Sequence, residues 1–164
     1  MSNSQKKTSE KLIQRLNPVA GHAMEFVAEI DGVVFINDSS SITVESTWNS
    51  LNTCPENVVL LIGGIDSRSD YSMLEELVAK KVRSVICLGT DNSRIMKAFF
   101  RTGTELTAVS SVQEALEVSR SMAKPGDVVL FSPSCPSFHP FDNYKNRGND
   151  MKRIVLSFIT KEEN

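Results

Sequence analysis

Neither sign of charge dominates this sequence: 18 Lys and Arg stand against 20 Asp and Glu, a formal net charge of -2. That balance supplies no long-range attraction for nucleic acid or for an anionic membrane, so neither is an expected partner. Long apolar runs are missing too. None approaches the ~18 residues that suggest a membrane span, and the polar start Met1 to Glu10 lacks the apolar segment of a secretory signal, so a soluble, unprocessed chain is expected. Cysteine is scarce: Cys54, Cys87 and Cys135 are an odd number without metal-ligand spacing, and Cys87 sits inside the apolar run Ser84 to Leu88. A reduced, cytoplasmic protein without a metal is the simplest reading. Also absent are G-x-x-x-x-G-K-[ST] and G-x-G-x-x-G, the loops that cradle nucleotide phosphates, which argues against an autonomous ATP-driven enzyme.

What is present suffices for one domain, since a chain of 164 residues buries roughly 70% of its unfolded surface in a single core. Residues 1–17 read as a polar lead-in, frayed to about residue 10, with a short helical stripe at Leu12, Ile13 and Leu16 that Pro18 ends. Met24 to Ile30 and Val33 to Asn37 flank Asp31-Gly32, a strong hairpin signal. From there strands and helices alternate. Helices are expected over Thr43 to Leu51, over Asp70 to Lys81 with Met73, Leu74, Leu77 and Val78 on one face, and over Asn92 to Arg101. Another opens at the capping box Ser111-Val112-Gln113-Glu114 and runs to Ala123, and a closing helix spans Gly148 to Ile159. Strands are expected at Val58 to Ile62, Val85 to Leu88, Leu106 to Val109 and Val128 to Phe131. Trp48, Phe99 and Phe100 read as core residues, and Lys80-Lys81 as solvated cations at a helix end. Near-continuous apolar strands between amphipathic helices imply an α/β sandwich, a mostly parallel sheet covered on both faces.

Three strand ends carry polar, Gly- or Pro-punctuated turns: Asp38 to Thr43, Gly63 to Asp70, and Ser132 to Pro140. In a parallel sheet these share one edge, where residues distant in sequence converge on a ligand. Gly63-Gly64 fits a close backbone approach or an anion cradle. Ser39, Ser40, Ser41, Ser67, Ser134 and Cys135 are candidate nucleophiles or turn formers. His139 is a candidate base, though a lone histidine, like His22, is more often packed or solvated.

Several motifs resemble the C-terminal domain of bacterial Mur ligases, most of all that of the D-glutamate-adding branch of peptidoglycan synthesis. They are His22-Ala23-Met24-Glu25, Phe35 to Ser39, Gly63-Gly64-Ile65-Asp66, Ser132 to Phe138, and Phe141 to Asn149. The resemblance covers roughly residues 12–160 and implies a Rossmann-like, six-stranded sheet with one antiparallel strand. In that family the domain closes over an ATP-binding central domain and helps to bind D-glutamate. The central domain and the UDP-binding domain have no counterpart in this sequence.

Departures from the family pattern gather on the ligand edge. Ala23 stands for an arginine, Ser40 for a lysine, Ile42 for a threonine, Ser67 for a lysine and His139 for an aspartate. Asp38, Ser137 and Tyr144 match ligand-contacting positions, but several charge-assisted contacts are lost together, so ATP binding and ligation are expected to be lost and no cofactor is expected. The pattern reads as a ligand edge rewritten on an intact framework, by engineering. Two functions follow. One is an esterase-like site for a small ester, with Ser41, Ser134 or Cys135 as nucleophile, His139 as base and Asp38 or Asp66 as its orienting carboxylate; Ser40, Ile42, Gly63, Gly64, Ser67, Ser137 and Tyr144 would line it. The other is an inert binding or structural domain, or a ligase fragment that needs its ATP-binding domain.

Overall fold

Side-chain alternation sets the layers. In β2 (Val33–Asn37), Val34 and Ile36 join one core and Val33 and Phe35 the other; in β3 (Val58–Gly63), Val58, Leu60 and Ile62 oppose Val59 and Leu61 in the same way. Every residue of both strands is buried, as a strand covered on two faces requires. The computed structural model describes residues 3–16, 21–64, 68–136, 141 and 143–162. Its six strands add β1 (Glu25–Ile30), β4 (Val82–Leu88), β5 (Glu105–Val109) and β6 (Val128–Phe131), in the order β1-β2-β6-β3-β4-β5. Among the described residues only the β1–β2 pair is antiparallel. Asp31 and Gly32 both hold positive φ, 52° and 77°, as a two-residue turn whose twist matches the strands demands.

One face carries α1 (Asn3–Arg15), α2 (Val44–Thr53), α3 (Glu75–Lys81) and α4 (Ser93–Phe99); the other carries α5 (Val112–Met122) and α6 (Tyr144–Glu162). Thr43 caps α2 through a reciprocal pair with Ser46. Ser111 caps α5 by accepting from Glu114 N–H at 3.1 Å, but Glu114 reaches back to Ser110 N–H instead of closing the expected box.

Several elements differ from the sequence expectation. The lead-in is helical from Asn3, with Leu12 and Leu16 buried in the main core. Strand β1 starts at Glu25, because Met24 lies at φ 45°. The segment expected as one helix from Asp70 opens as a 3-10 turn, Tyr71–Leu74, with Asp70 Oδ1 accepting from Ser72 N–H. Tyr71, Leu74 and Val78 share the buried face, and Met73 points outward, 43% exposed. Phe100 is 63% exposed, because α4 ends at Phe99 and its buried face is Ile95 and Phe99. Finally, α6 starts at Tyr144, four residues before the expected Gly148, where Asn143 Oδ1 accepts from Asn146 N–H at 3.0 Å. Gly148 is interior to that helix, not its boundary.

Candidate functional site

The ends of β2, β6 and β3 lie side by side, so the three polar turns meet on one edge as the parallel order requires. Backbone hydrogen bonds stitch them: Asp38 N–H donates to Phe131 O (2.9 Å), Gly63 N–H to Pro133 O (2.8 Å) and Ser134 N–H to Ser41 O (2.9 Å).

Asp38 is the hub. Its Oδ2 accepts from Ser41 Oγ at 2.5 Å and from Ser132 Oγ at 2.7 Å, and its Oδ1 accepts from Met24 N–H at 3.0 Å. Ser132 Oγ also lies 2.9 Å from Thr47 Oγ1, and Ser41 Oγ 3.4 Å from Ser50 Oγ. All five side chains are buried. Burial pushes the Asp38 carboxyl above its ordinary range, and hydrogen bonds from Ser41, Ser50, Ser132 and Met24 N–H oppose that rise. A carboxylate this fully engaged is a structural node: its donors come from its own turn, the neighbouring strand ends and α2.

The other predicted site residues separate into distinct roles. Ser41 is 3% exposed and hydrogen-bonds to a carboxylate and a hydroxyl, not an imidazole. Ser134 is fully buried at φ 64°, and its Oγ has no hydrogen-bond partner among the described residues. Cys135 is fully buried against Gly64, where an added Cβ would sit 2.7 Å from its Sγ. Gly63, at φ 109°, leaves room for Leu88 O, which a Cβ would approach to 2.5 Å. Close packing alone thus accounts for the paired glycines, and no anion cradle is needed. Ser40 is half-buried with its N–H on His22 O at 2.9 Å, and Ile42 is 40% exposed. Tyr144 packs edge-on against His22, ring centroids 6.1 Å apart. Asp66, Ser67, Ser137 and His139 lie outside the described residues. Burial pushes the Cys54 and Cys87 thiols up to about 12, which makes both inert. Among the described residues no group of three or more His, Cys, Asp or Glu could hold a metal ion, and no helix is long and apolar enough to cross a membrane.

Three residues to which the sequence pattern assigns no site role build this edge. Arg147 is 3% exposed; its guanidinium donates to Ser39 O at 3.2 Å, Cys135 O at 3.1 Å and Pro136 O at 3.4 Å. It thereby joins the turns after β2 and β6. Burial pushes its pKa down, yet its planar fork still spans carbonyls from two separate turns. A signal existed: a cation in the first turn of a helix opposes the dipole, but it is visible only once α6 is known to start at Tyr144. Gly148 follows, and a Cβ there would fall 2.2 Å from Ser39 Oγ and 2.3 Å from His22 Nδ1. His22 is the third, with Nδ1 3.1 Å from Asn37 Nδ2.

The family profile described as "Mur ligase, glutamate ligase domain" matches residues 23–135. The UDP-N-acetylmuramoylalanine--D-glutamate ligase of Cytophaga hutchinsonii is 42% identical over 137 residues, covering 84% of this chain and 30% of the relative. The enzyme of the same name from Aquifex aeolicus is 37% identical over 141 residues, covering 85% of this chain and 34% of that one. This chain therefore spans about a third of the length of these curated relatives. Among solved structures, MurC from Thermotoga maritima superposes with a TM-score of 0.55 at 16% identity over 85% of this chain and 30% of that one. MurF from Acinetobacter baumannii gives 0.56 at 14% identity over 84% and 31%. These likenesses bear on the fold alone, and they agree with the Rossmann-like sheet. Sequence and fold together establish that this chain belongs to the Mur ligase C-terminal domain family, within its D-glutamate ligase branch.

Proposed function

We propose that this domain is a binding or structural module derived from the D-glutamate-adding ligase of peptidoglycan synthesis, without ligase chemistry of its own. One observation carries the reading: the two buried charged groups of the strand-end edge among the described residues, Asp38 and Arg147, are engaged by their own chain. Asp38 is enclosed by Ser41, Ser132 and Met24 N–H, and Arg147 is committed to three backbone carbonyls. Ser40 and Ile42 offer no charge where the family pattern has a lysine and a threonine. A domain so altered is expected to need no ATP and to meet, at most, a small uncharged or weakly held ligand.

The length of the relatives favours a second reading, a ligase fragment that works with a separate ATP-binding domain. The esterase reading has less behind it. Ser41 and Ser134 have no imidazole within hydrogen-bonding distance among the described residues, the relatives are ligases, and nothing in them supports a redesigned site.

The deciding experiment combines this domain with the remaining domains of the Cytophaga relative and measures D-glutamate-dependent release of ADP. No release above the level without this domain is expected. Release that requires it would establish the fragment reading. In parallel, a fluorophosphonate probe should leave Ser41, Ser134 and Cys135 unlabelled; an adduct at any of them that disappears in His139→Ala would restore the hydrolase.

A further inference from the structure

The side-chain amide of Asn37, at the end of β2, is oriented from two sides. Its Oδ1 accepts from Ser39 N–H at 3.2 Å, and its Nδ2 donates to Glu25 Oε2 at 2.9 Å. Turning the amide over would set N–H against N–H and oxygen against carboxylate, so only one orientation satisfies both neighbours. The second Nδ2 hydrogen is then directed to His22 Nδ1, 3.1 Å away. Nδ1 must accept. The ring proton therefore sits on Nε2 and the imidazole is neutral.

The Nδ1 side of the ring is closely packed. Gly148 lies so close that a Cβ would approach Nδ1 to 2.3 Å, Tyr144 stands edge-on at 6.1 Å, and Ser39 Oγ is 3.4 Å from Nδ1. The charged groups facing it are Glu25 from β1 and Lys145 and Lys152 from α6. Glu25 alone favours a charged ring, but its carboxylate is already occupied: Oε2 takes His22 N–H and Asn37, and Oε1 takes Lys152 Nζ at 3.1 Å. Burial, then Lys152, push the ring's pKa below its ordinary value.

The same residues zip the segment before β1 onto the turn after β2. His22 O accepts from Ser40 N–H, Met24 N–H donates to Asp38, and Asn37 Oδ1 holds Ser39 N–H. His22 and Met24 sit at φ 68° and 45°, conformations that persist in non-glycine residues only while their surroundings hold them. A proton on Nδ1 would face the Asn37 amide donor and force the ring outward. We propose that neutral His22 is the positioning residue of this strand-end edge, holding Asn37 and through it the turn from Ser39 to Ser41, and that protonation of its ring releases the turn.

The test is nuclear magnetic resonance of the isotope-labelled full chain, following the His22 ring nitrogens and the Ser39 and Ser40 amides from about pH 7.5 to about pH 5, a range that spans the ordinary titration of histidine. The neutral ring should carry its proton on Nε2. The two amides should shift with the midpoint of His22, which should lie below ~6.5. In His22→Gln, whose side-chain oxygen keeps the acceptor without titrating, the amides should stay in place over that range. A proton on Nδ1 in the neutral form, amides that do not follow His22, or the same amide midpoint in His22→Gln would each overturn the proposal. If His22→Gln does not fold, the tautomer and the coincidence of midpoints in the unaltered chain decide it.

Discussion

Replacing Gly148 by alanine sets two effects of opposite sign against each other. Gly148 lies inside α6 and has no positive φ, so helix propensity alone predicts that Gly148→Ala stabilises the protein by about 1 kcal/mol. The new Cβ, however, would fall 2.2 Å from Ser39 Oγ, 2.3 Å from His22 Nδ1 and 3.0 Å from Asn37 Nδ2. Rotating the Ser39 hydroxyl away costs about 1 kcal/mol if it leaves its rotamer well. Displacing His22 leaves a buried Asn37 N–H without its acceptor, a further ~1–3 kcal/mol. The net expectation is destabilisation by roughly 1–3 kcal/mol, which for a chain of this size lowers Tm by roughly 2–10 °C. Urea denaturation at neutral pH, with a thermal scan beside it, measures this directly. An unchanged or raised midpoint would refute the reasoning, because it would mean that α6 does not rest on Ser39 and His22 as closely as the packing shows.

Three further outcomes are expected. Ser134→Gly should stabilise the fold by about 1 kcal/mol, since it relieves φ 64° and removes a buried hydroxyl without a partner, gains that exceed the added freedom of glycine in the unfolded chain; chemical denaturation would read it, and a loss of stability would mean that the hydroxyl has a partner in solution. Thr43→Ala should cost about 1 kcal/mol through loss of the α2 cap, measured the same way. For Asp38→Asn the pH dependence is the readout. The folded carboxyl of Asp38 titrates above its ordinary value, so its contribution is fully present below the unfolded pKa and is lost as pH rises through the folded one. The unaltered protein should therefore gain stability relative to Asp38→Asn as pH falls from 7 towards ~4, and a difference that stays flat over that range would contradict the shift.

The order of strands and helices was legible because apolar periodicity is a local property: the runs Val58 to Ile62 and Val128 to Phe131 have few alternatives to a doubly covered strand. Asp31-Gly32 was legible for the same reason, since a two-residue turn requires positive φ where these two residues tolerate it. Boundaries were less so. Gly148 reads locally as a helix edge, and only its contact with Ser39 and His22 shows why a glycine stands inside α6. Met73 reads as part of the buried face because of its neighbours Leu74 and Leu77, but the core takes Tyr71, Leu74 and Val78, a second set at helical spacing that the sequence offers equally.

By itself, the sequence determined the α/β class, the convergence of three polar turns on one sheet edge, and the family through motifs spread from His22 to Asn149. The tertiary structure alone decided what the polar residues on that edge do. Ser41 and Ser134 look alike in sequence, yet one closes the coordination of Asp38 and the other is buried without a partner; Arg147, unremarked in its helix, ties two turns 108 and 12 positions away in the chain. The physical reason is that a hydroxyl, imidazole or guanidinium takes its role from the donors and acceptors within about 3 Å of it, and on this edge those neighbours come from different strands.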